Sequence, residues 1–304
     1  RHAALGLWLA AAALASHAGL LRYCETPQDL SAAQHDTLLR VADVVRQELQ
    51  RAGSRAALVS RSGLDLRRLG ERYSHAGISL ASSPSVPWSV RQLYFDCDQQ
   101  RARLFDQGLA GFVLGQHDAR VGFISLVLMP EAAAQALAQA ALDDRRALSL
   151  LGARYSANAY AYATRYQNCN QWVAELMAAA WGDLKPPAAG PDTRPGDARA
   201  LAQQWLREAA YRPSRLTPRP LALALAVPLV PWFHWDDHPE ASLREQVFEV
   251  SMPASLEAFI RQREPAATRI EFCHTSQHIV LRRGWTALNE DCVPAPGDEV
   301  IRLR

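Results

Sequence analysis

The sequence lacks the patterns that mark several large classes of protein. Lysine occurs once, at Lys185, and acidic and basic residues are interspersed along the chain, with a formal net charge of +2. Because no stretch forms the basic stripe typical of nucleic-acid binding, a nucleic acid is not an expected partner. Internal repeats and low-complexity tracts are also absent from the sequence, which excludes solenoids and other repeat architectures.

The cysteines do not have the spacing of a metal site. There are five, Cys24, Cys97, Cys169, Cys273 and Cys292, and they include no CxxC pair and no Cys/His zinc pattern. The sequence therefore indicates no metal and no cofactor. An odd number leaves at least one thiol without a partner in the chain. We predict a Cys273–Cys292 disulfide and a weaker Cys24–Cys97 pair, provided that the chain enters an oxidising compartment.

The first residues of the sequence predict that the protein is exported to such a compartment. Arg1 and His2 precede an apolar run over 3–15, and small residues follow at Ser16 and Ala18. This order is typical of a secretory signal peptide, here over residues 1–18, although an uncleaved anchor or a buried helix has a similar composition. The run is shorter than the roughly 20 residues of a membrane-spanning helix. We therefore expect a periplasmic protein with no transmembrane span in the mature chain.

The rest of the chain predicts an α+β fold with a small antiparallel sheet packed on helices. Alternating or β-branched residues indicate strands over 75–80, 90–95 and 121–129. Helical spacing of apolar residues predicts helices over 104–114 and from Asn168 onward. We expect one core over residues 24–212 and a C-terminal extension over 213–304 that covers or extends it.

The chemistry is expected around Cys169. A cysteine nucleophile acts as the thiolate, and a helix N-terminus favours the thiolate through its free N–H groups and dipole. Cys169 lies where the helical spacing of apolar residues predicts that a helix begins. His75 lies on a predicted strand, between small neighbours that leave room for a substrate. The alternatives are a buried, inert cysteine and a hydrogen-bonded core histidine.

A family resemblance favours the catalytic interpretation. Tyr73-Ser74-His75-Ala76-Gly77, followed later by Gln167-Asn168-Cys169-Asn170-Gln171-Trp172, resembles the circularly permuted branch of the NlpC-type papain-like hydrolases, which includes lecithin retinol acyltransferase. More closely, the chain resembles the bacterial family DUF2145 from about Cys24 to the C-terminus. This likeness also includes Ser60-Arg61-Ser62-Gly63, Gln107-Gly108-Leu109 and Asp236-Asp237-His238-Pro239.

The resemblance implies a papain-like fold and a third residue on the strand after the histidine strand. Gln92 is favoured, because its amide oxygen can accept the imidazole N–H, and Asp96 is the alternative. An oxyanion would be held by the backbone N–H of Cys169, aided by the side chain of Asn168 or Gln171.

Three functions remain open at this point. The first is an exported cysteine hydrolase of amide or peptide bonds, with a small peptide such as cell-wall peptide as substrate. The second is a lipid acyltransferase or thioesterase acting on an acyl substrate, and the third is a non-catalytic binding module. The Asp236-Asp237-His238-Pro239 segment is interpreted as a capped turn, with a metal or acid–base site as the alternative.

Overall fold

The structure is a computed structural model that describes residues 30–96, 99, 101–116, 120–186, 196–218 and 232–303. The helices are α1 Ala32–Ala52, α2 Leu109–Leu114, α3 Glu131–Leu142, α4 Asp144–Ser149, α5 Cys169–Trp181, α6 Asp197–Glu208, α7 Glu240–Glu245 and α8 Pro253–Arg263. The strands are β1 Ala56–Arg61, β2 His75–Leu80, β3 Ser89–Asp96, β4 Arg101–Gln107, β5 Gly122–Leu128, β6 Ser214–Leu216, β7 Phe248–Val250, β8 Thr268–His274, β9 His278–Arg283 and β10 Glu299–Arg302.

The α+β class is confirmed, but the prediction of a small sheet is wrong. The main sheet has 8 strands in the order β10-β9-β8-β5-β1-β2-β3-β4, and neighbouring strands pair antiparallel. The sheet is large because strands from distant parts of the chain join it: β8 pairs with β5, with Cys273 opposite Phe123. Residues 213–304 thus contribute three strands to the main sheet.

Helices cover both faces of the sheet. One face carries α3, α5 and α8 over an apolar cluster that includes Ala76, Leu93 and Trp172. The other face carries α1 and α2 over a second cluster that includes Val59, Val90 and Phe112. Because side chains alternate along a strand, neighbouring residues such as Leu58 and Val59 serve different clusters.

The predicted helix over 104–114 is wrong in its first half. Residues 101–107 form β4, and the helix begins only after Gly108. The apolar residues 104 and 105 have helical spacing with those of α2, yet they extend the sheet beside β3. Pairing with a neighbouring strand overrides local propensity here.

The Cys273–Cys292 disulfide is confirmed, with a Cα–Cα distance of 5.8 Å. The Cys24–Cys97 pair and the predicted signal peptide lie outside the described residues. Among the residues that the structure does describe, no helix is long and apolar enough to cross a membrane.

Candidate functional site

The helix α5 begins at Cys169. Asn168 is its N-cap residue, and the Asn168 side-chain oxygen accepts a hydrogen bond of 2.7 Å from the backbone N–H of Gln171. Such a cap satisfies one of the N–H groups that have no partner inside the helix and fixes the first turn. The predicted start of the helix and the observed start therefore agree.

The Cys169 thiol is buried and protonated at neutral pH. Its side chain belongs to the apolar cluster beneath α5, and the residue is 7% exposed. Burial raises the pKa of Cys169 to about 11, and this outweighs the opposite effects of the backbone N–H of Asn170 and the positive charge of Arg61. The helix terminus favours the thiolate as expected, but desolvation is the larger effect.

His75 is the first residue of β2, and its side chain is held by Gln92. The amide oxygen of Gln92 lies 2.5 Å from the ring atom Nε2, and the Gln92 amide donates in turn to Gln107 at 2.6 Å. This bond requires the proton on Nε2, because an amide oxygen only accepts. The ring atom Nδ1 is then the basic nitrogen, and it has no hydrogen-bond partner among the described residues.

The His75 imidazole is neutral. Its centroid lies 5.5 Å from that of Tyr94 and 5.9 Å from that of Phe112. Burial, together with the smaller effect of the positive charge of Arg61, lowers the pKa of His75 to about 3, against the opposite effect of the hydrogen bond to Gln92. Arg61 is itself buried and donates to the carbonyl of Gly115.

Cys169 and His75 lie on segments that are hydrogen-bonded to each other, but their side chains are not bonded. Asn170 donates to the carbonyl of Ser74 at 3.2 Å, which joins the residue after Cys169 to the residue before His75. However, the thiol shares a cluster with Ala76, and the imidazole contacts Phe112 of the opposite cluster. Within the described residues, no hydrogen bond links the thiol to the imidazole.

The two predicted oxyanion side chains are engaged elsewhere. Asn168 donates to the carbonyls of Ala157 and Ser251 at 3.3 and 3.4 Å. The Gln171 amide donates to three carbonyls, each at 3.2 Å. Both side chains hold the polypeptide that precedes α5, and Asn168 also holds the residue Ser251 before α8. Backbone N–H groups are therefore left as the available oxyanion donors.

Asp96, the alternative third residue, lies at the end of β3. Its carboxylate accepts from the backbone N–H of Gln99 at 3.0 Å and from Arg103 at 3.2 Å. Gln92, and not Asp96, is therefore the residue that is hydrogen-bonded to the imidazole.

A fully buried ion pair, Glu175–Arg199, supports the start of α5 and was not predicted from the sequence. Glu175 on α5 and Arg199 on α6 are 2.8 Å apart and almost completely buried. Arg199 also donates to the carbonyls of Thr164 and Tyr166, at 2.7 and 3.0 Å. The pair thereby fixes the segment that leads into Cys169. The sequence does not indicate this pair, because charged residues at helical positions are usually exposed.

The Asp236-Asp237-His238 segment lies in a turn, in which the backbone N–H of His238 donates to the carbonyl of Trp235 at 3.1 Å, but the predicted cap is wrong, because α7 begins after Pro239 with no side-chain cap. Asp237 accepts from the backbone N–H of Tyr160 at 2.9 Å, and His238 Nε2 lies 2.8 Å from the carbonyl oxygen of Asn158. In the part of the chain that is described, no group of three or more His, Cys, Asp or Glu residues could hold a metal ion.

These observations define an α+β protein with one large antiparallel sheet and a cysteine at the start of a buried helix. The family model described as "Uncharacterized protein conserved in bacteria (DUF2145)" matches residues 48–260, which is more than half of the 304 residues. The chain therefore belongs to the DUF2145 family. No curated protein and no solved structure shows significant similarity to it.

Proposed function

We propose that this protein is an exported cysteine hydrolase of amide bonds, with Cys169 as nucleophile, His75 as base and Gln92 as the residue that orients the imidazole. The observation that supports this most is the bond between Gln92 and His75 Nε2. It sets the tautomer in which Nδ1 can accept the thiol proton. A histidine whose tautomer is fixed in this way and a cysteine at a helix start are two components that nucleophilic catalysis requires, and the proposal requires that they come together.

The reaction would proceed in two steps. The Cys169 sulfur attacks the carbonyl carbon while its proton passes to His75 Nδ1, and the imidazolium then protonates the leaving amine. Water, deprotonated by the same nitrogen, releases the acid and restores the thiol. The backbone N–H of Cys169 would hold the oxyanion. A peptide from the cell wall is a substrate that an exported protein would meet. A papain-like fold would be consistent with the proposed roles of Cys169 and His75.

The proposal includes a rearrangement before catalysis. The thiol and the imidazole contact different apolar clusters, so one side chain must rotate, or the first turn of α5 must shift, when substrate binds. With a pKa of about 11, only about one thiol in ten thousand is ionised at pH 7. The free protein is therefore expected to react slowly with thiol reagents, and faster once substrate is bound.

A second candidate is a non-catalytic binding module on the same fold. The buried, protonated state of Cys169 supports it, since a structural cysteine has this environment. The two candidates differ in what loss of the thiol does. A module keeps its binding in Cys169→Ala, whereas the hydrolase loses all turnover.

The test uses purified peptidoglycan and, separately, phospholipid vesicles, with released products identified by mass spectrometry. We expect cleavage of peptide bonds by the wild type, and no cleavage by Cys169→Ala or His75→Ala. His35→Ala is the matched control, because His35 is an exposed histidine on α1, and it should retain full activity. Thermal unfolding by circular dichroism checks that each variant folds.

Iodoacetamide labelling at Cys169, mapped by peptide mass, adds a second measurement. Its rate should increase in the presence of a cleavable peptidoglycan fragment. Equal product release by the wild type and Cys169→Ala would contradict the hydrolase proposal, and release of acyl chains from the vesicles alone would identify a lipid substrate instead.

A further inference from the structure

A buried arginine lies beside the candidate site. Arg61 is the last residue of β1, and the register of the sheet places it directly opposite His75, the first residue of β2. Residues that are directly opposed in a sheet have their side chains on the same face, with Cβ atoms about 4.5–5.5 Å apart. Both side chains lie against Phe112, because the guanidinium carbon is 5.4 Å and the imidazole centroid 5.9 Å from the centroid of that ring. The guanidinium and the imidazole are therefore neighbours.

The chain leaves space for this guanidinium at two glycines. Arg61 is only 3% exposed, and it donates to the carbonyl of Gly115. A Cβ atom at Gly115 would lie 2.7 Å from Arg61 Nη2, and a Cβ atom at Gly63 would lie 3.2 Å from Arg61 Nη1. A larger residue at either position would crowd the guanidinium. Because a guanidinium stays protonated even when it is buried, the space between these glycines holds a fixed positive charge.

This charge is distinct from the other groups that surround the imidazole. Gln92 and Tyr94 face the His75 ring from β3, and Phe112 faces it from α2. Glutamine and phenylalanine do not titrate, and a tyrosine ordinarily titrates near pH 10. Among the described side chains that face the imidazole, Arg61 is thus the one that is charged at neutral pH.

The charge of Arg61 acts on the cysteine as well as on the histidine. Burial raises the pKa of the Cys169 thiol, and the positive charge of Arg61 is among the effects that lower it. Burial and the same charge both lower the pKa of His75. A neighbouring cation favours the thiolate over the thiol and the neutral imidazole over the imidazolium. Both effects favour the forms that a cysteine nucleophile and its base need.

We propose that Arg61 is a positioning residue of the candidate site, whose fixed positive charge keeps His75 in the neutral form that accepts a proton and favours the Cys169 thiolate. Arg61 acts through these two residues, since its own side chain is enclosed and does not reach a substrate. The catalytic consequence rests on the hydrolase proposed above, whereas the effect of the charge on the thiol does not. An arginine that only filled the space between β1 and α2 would have no effect on either titration.

The first test measures the thiolate without any turnover. Arg61→Gln removes the charge and Arg61→Lys keeps it, and the rate of iodoacetamide labelling at Cys169, mapped by peptide mass, is compared at about pH 8. We expect the rate to fall by at least about twofold in Arg61→Gln and to match the wild type in Arg61→Lys. A variant that merely loosened the packing would expose the thiol and label faster. Arg40→Gln is the matched control, because Arg40 is an exposed arginine on α1.

The second test uses the pH profile of kcat/KM for peptide cleavage. Loss of the charge raises the pKa of His75, so the acid limb of the profile should move to higher pH by at least about half a pH unit in Arg61→Gln, and Arg61→Lys should restore it. Thermal unfolding checks that each variant folds. If Arg61→Gln does not fold, Arg61→Met replaces it, since methionine fills similar space with an unbranched, uncharged chain.

The two tests separate the failure of this proposal from the failure of the hydrolase. Unchanged or faster labelling in Arg61→Gln, or an equal fall in Arg61→Gln and Arg61→Lys, would overturn the assignment. An acid limb that does not move would overturn the role of Arg61 toward His75. If the wild type cleaves no peptide, the hydrolase proposal fails, and the labelling rates still decide whether the charge of Arg61 acts on Cys169.

Discussion

Two groups of buried carboxylates in this protein differ in how completely they are compensated. Glu175 accepts four hydrogen bonds: Arg199 and Gln203 donate to Oε1, and Gln167 and Arg199 donate to Oε2. By contrast, Glu71 in the loop before β2 and Glu257 on α8 each retain one oxygen without a hydrogen-bond partner among the described residues. The residues are of the same type and similarly buried, so the difference lies in the donors around them.

The difference separates a carboxylate whose partners fix the fold around it from carboxylates that keep an unused acceptor. A buried charge with all its partners fixes its neighbours in one arrangement, and removal of a partner is costly. Glu175 and its partners thus hold the segment before Cys169. A buried carboxylate with an unused acceptor reduces the stability of the protein. The predictions below test this distinction from the largest expected effect to the smallest.

Arg199→Leu should give the largest effect. It leaves the Glu175 carboxylate buried without its cation, so we expect the free energy of unfolding to fall by about 3–5 kcal/mol. Chemical denaturation measures it, with the exposed α6 residue Gln204 replaced by Leu as control. The double variant Glu175→Leu/Arg199→Leu should be more stable than Arg199→Leu alone. If the single variant loses no more than the control, the pair is not essential to the fold.

Loss of the Cys273–Cys292 disulfide should have the next largest effect. The bond closes a loop with a sequence separation of 19. Replacement of both cysteines by Ala is expected to lower the free energy of unfolding by about 3 kcal/mol, through a less constrained unfolded chain. The wild type in reducing buffer should match the variant, and a difference between them would point to altered packing.

Glu71→Gln should have a smaller effect of opposite sign. The pKa of Glu71 is raised from its ordinary value of 4.5, so the folded state binds the proton more tightly than the unfolded state. Its contribution to stability therefore falls as pH increases from the ordinary pKa through the raised one. At pH 7 we expect the variant to be more stable than the wild type by about 1 kcal/mol.

That stabilisation should disappear by about pH 3, where Glu71 is protonated in both states because this pH lies well below its ordinary pKa of 4.5. Thermal unfolding over this pH range measures the effect, with Glu290→Gln as the control for an exposed carboxylate. A stabilisation that is independent of pH would mean that ionisation of Glu71 is not its cause.

Local signals in the sequence predicted the start of the site but not its surroundings. The helix beginning at Cys169 follows from the Asn168 cap and the apolar spacing after it, and the contact between Gln92 and His75 joins residues on successive strands. The extent of the sheet was missed because β5 and β8 are more than a hundred residues apart along the chain, and pairing at this distance leaves no local pattern. Burial of Glu71 and Glu175 was missed for a related reason, since a charged residue in a helical or loop pattern is usually exposed.

The position of β8 in the main sheet determines when, during synthesis, the sheet can become complete. The strand β5 lies between β1 and β8, so one of its two hydrogen-bonding edges stays open until the chain has been made as far as residue 274. A chain cut at residue 260, where the family match ends, would present that edge to other chains and would be prone to self-association. During synthesis the same edge of β5 would stay unpaired until β8 leaves the ribosome. The nascent chain would therefore be prone to aggregation until that point.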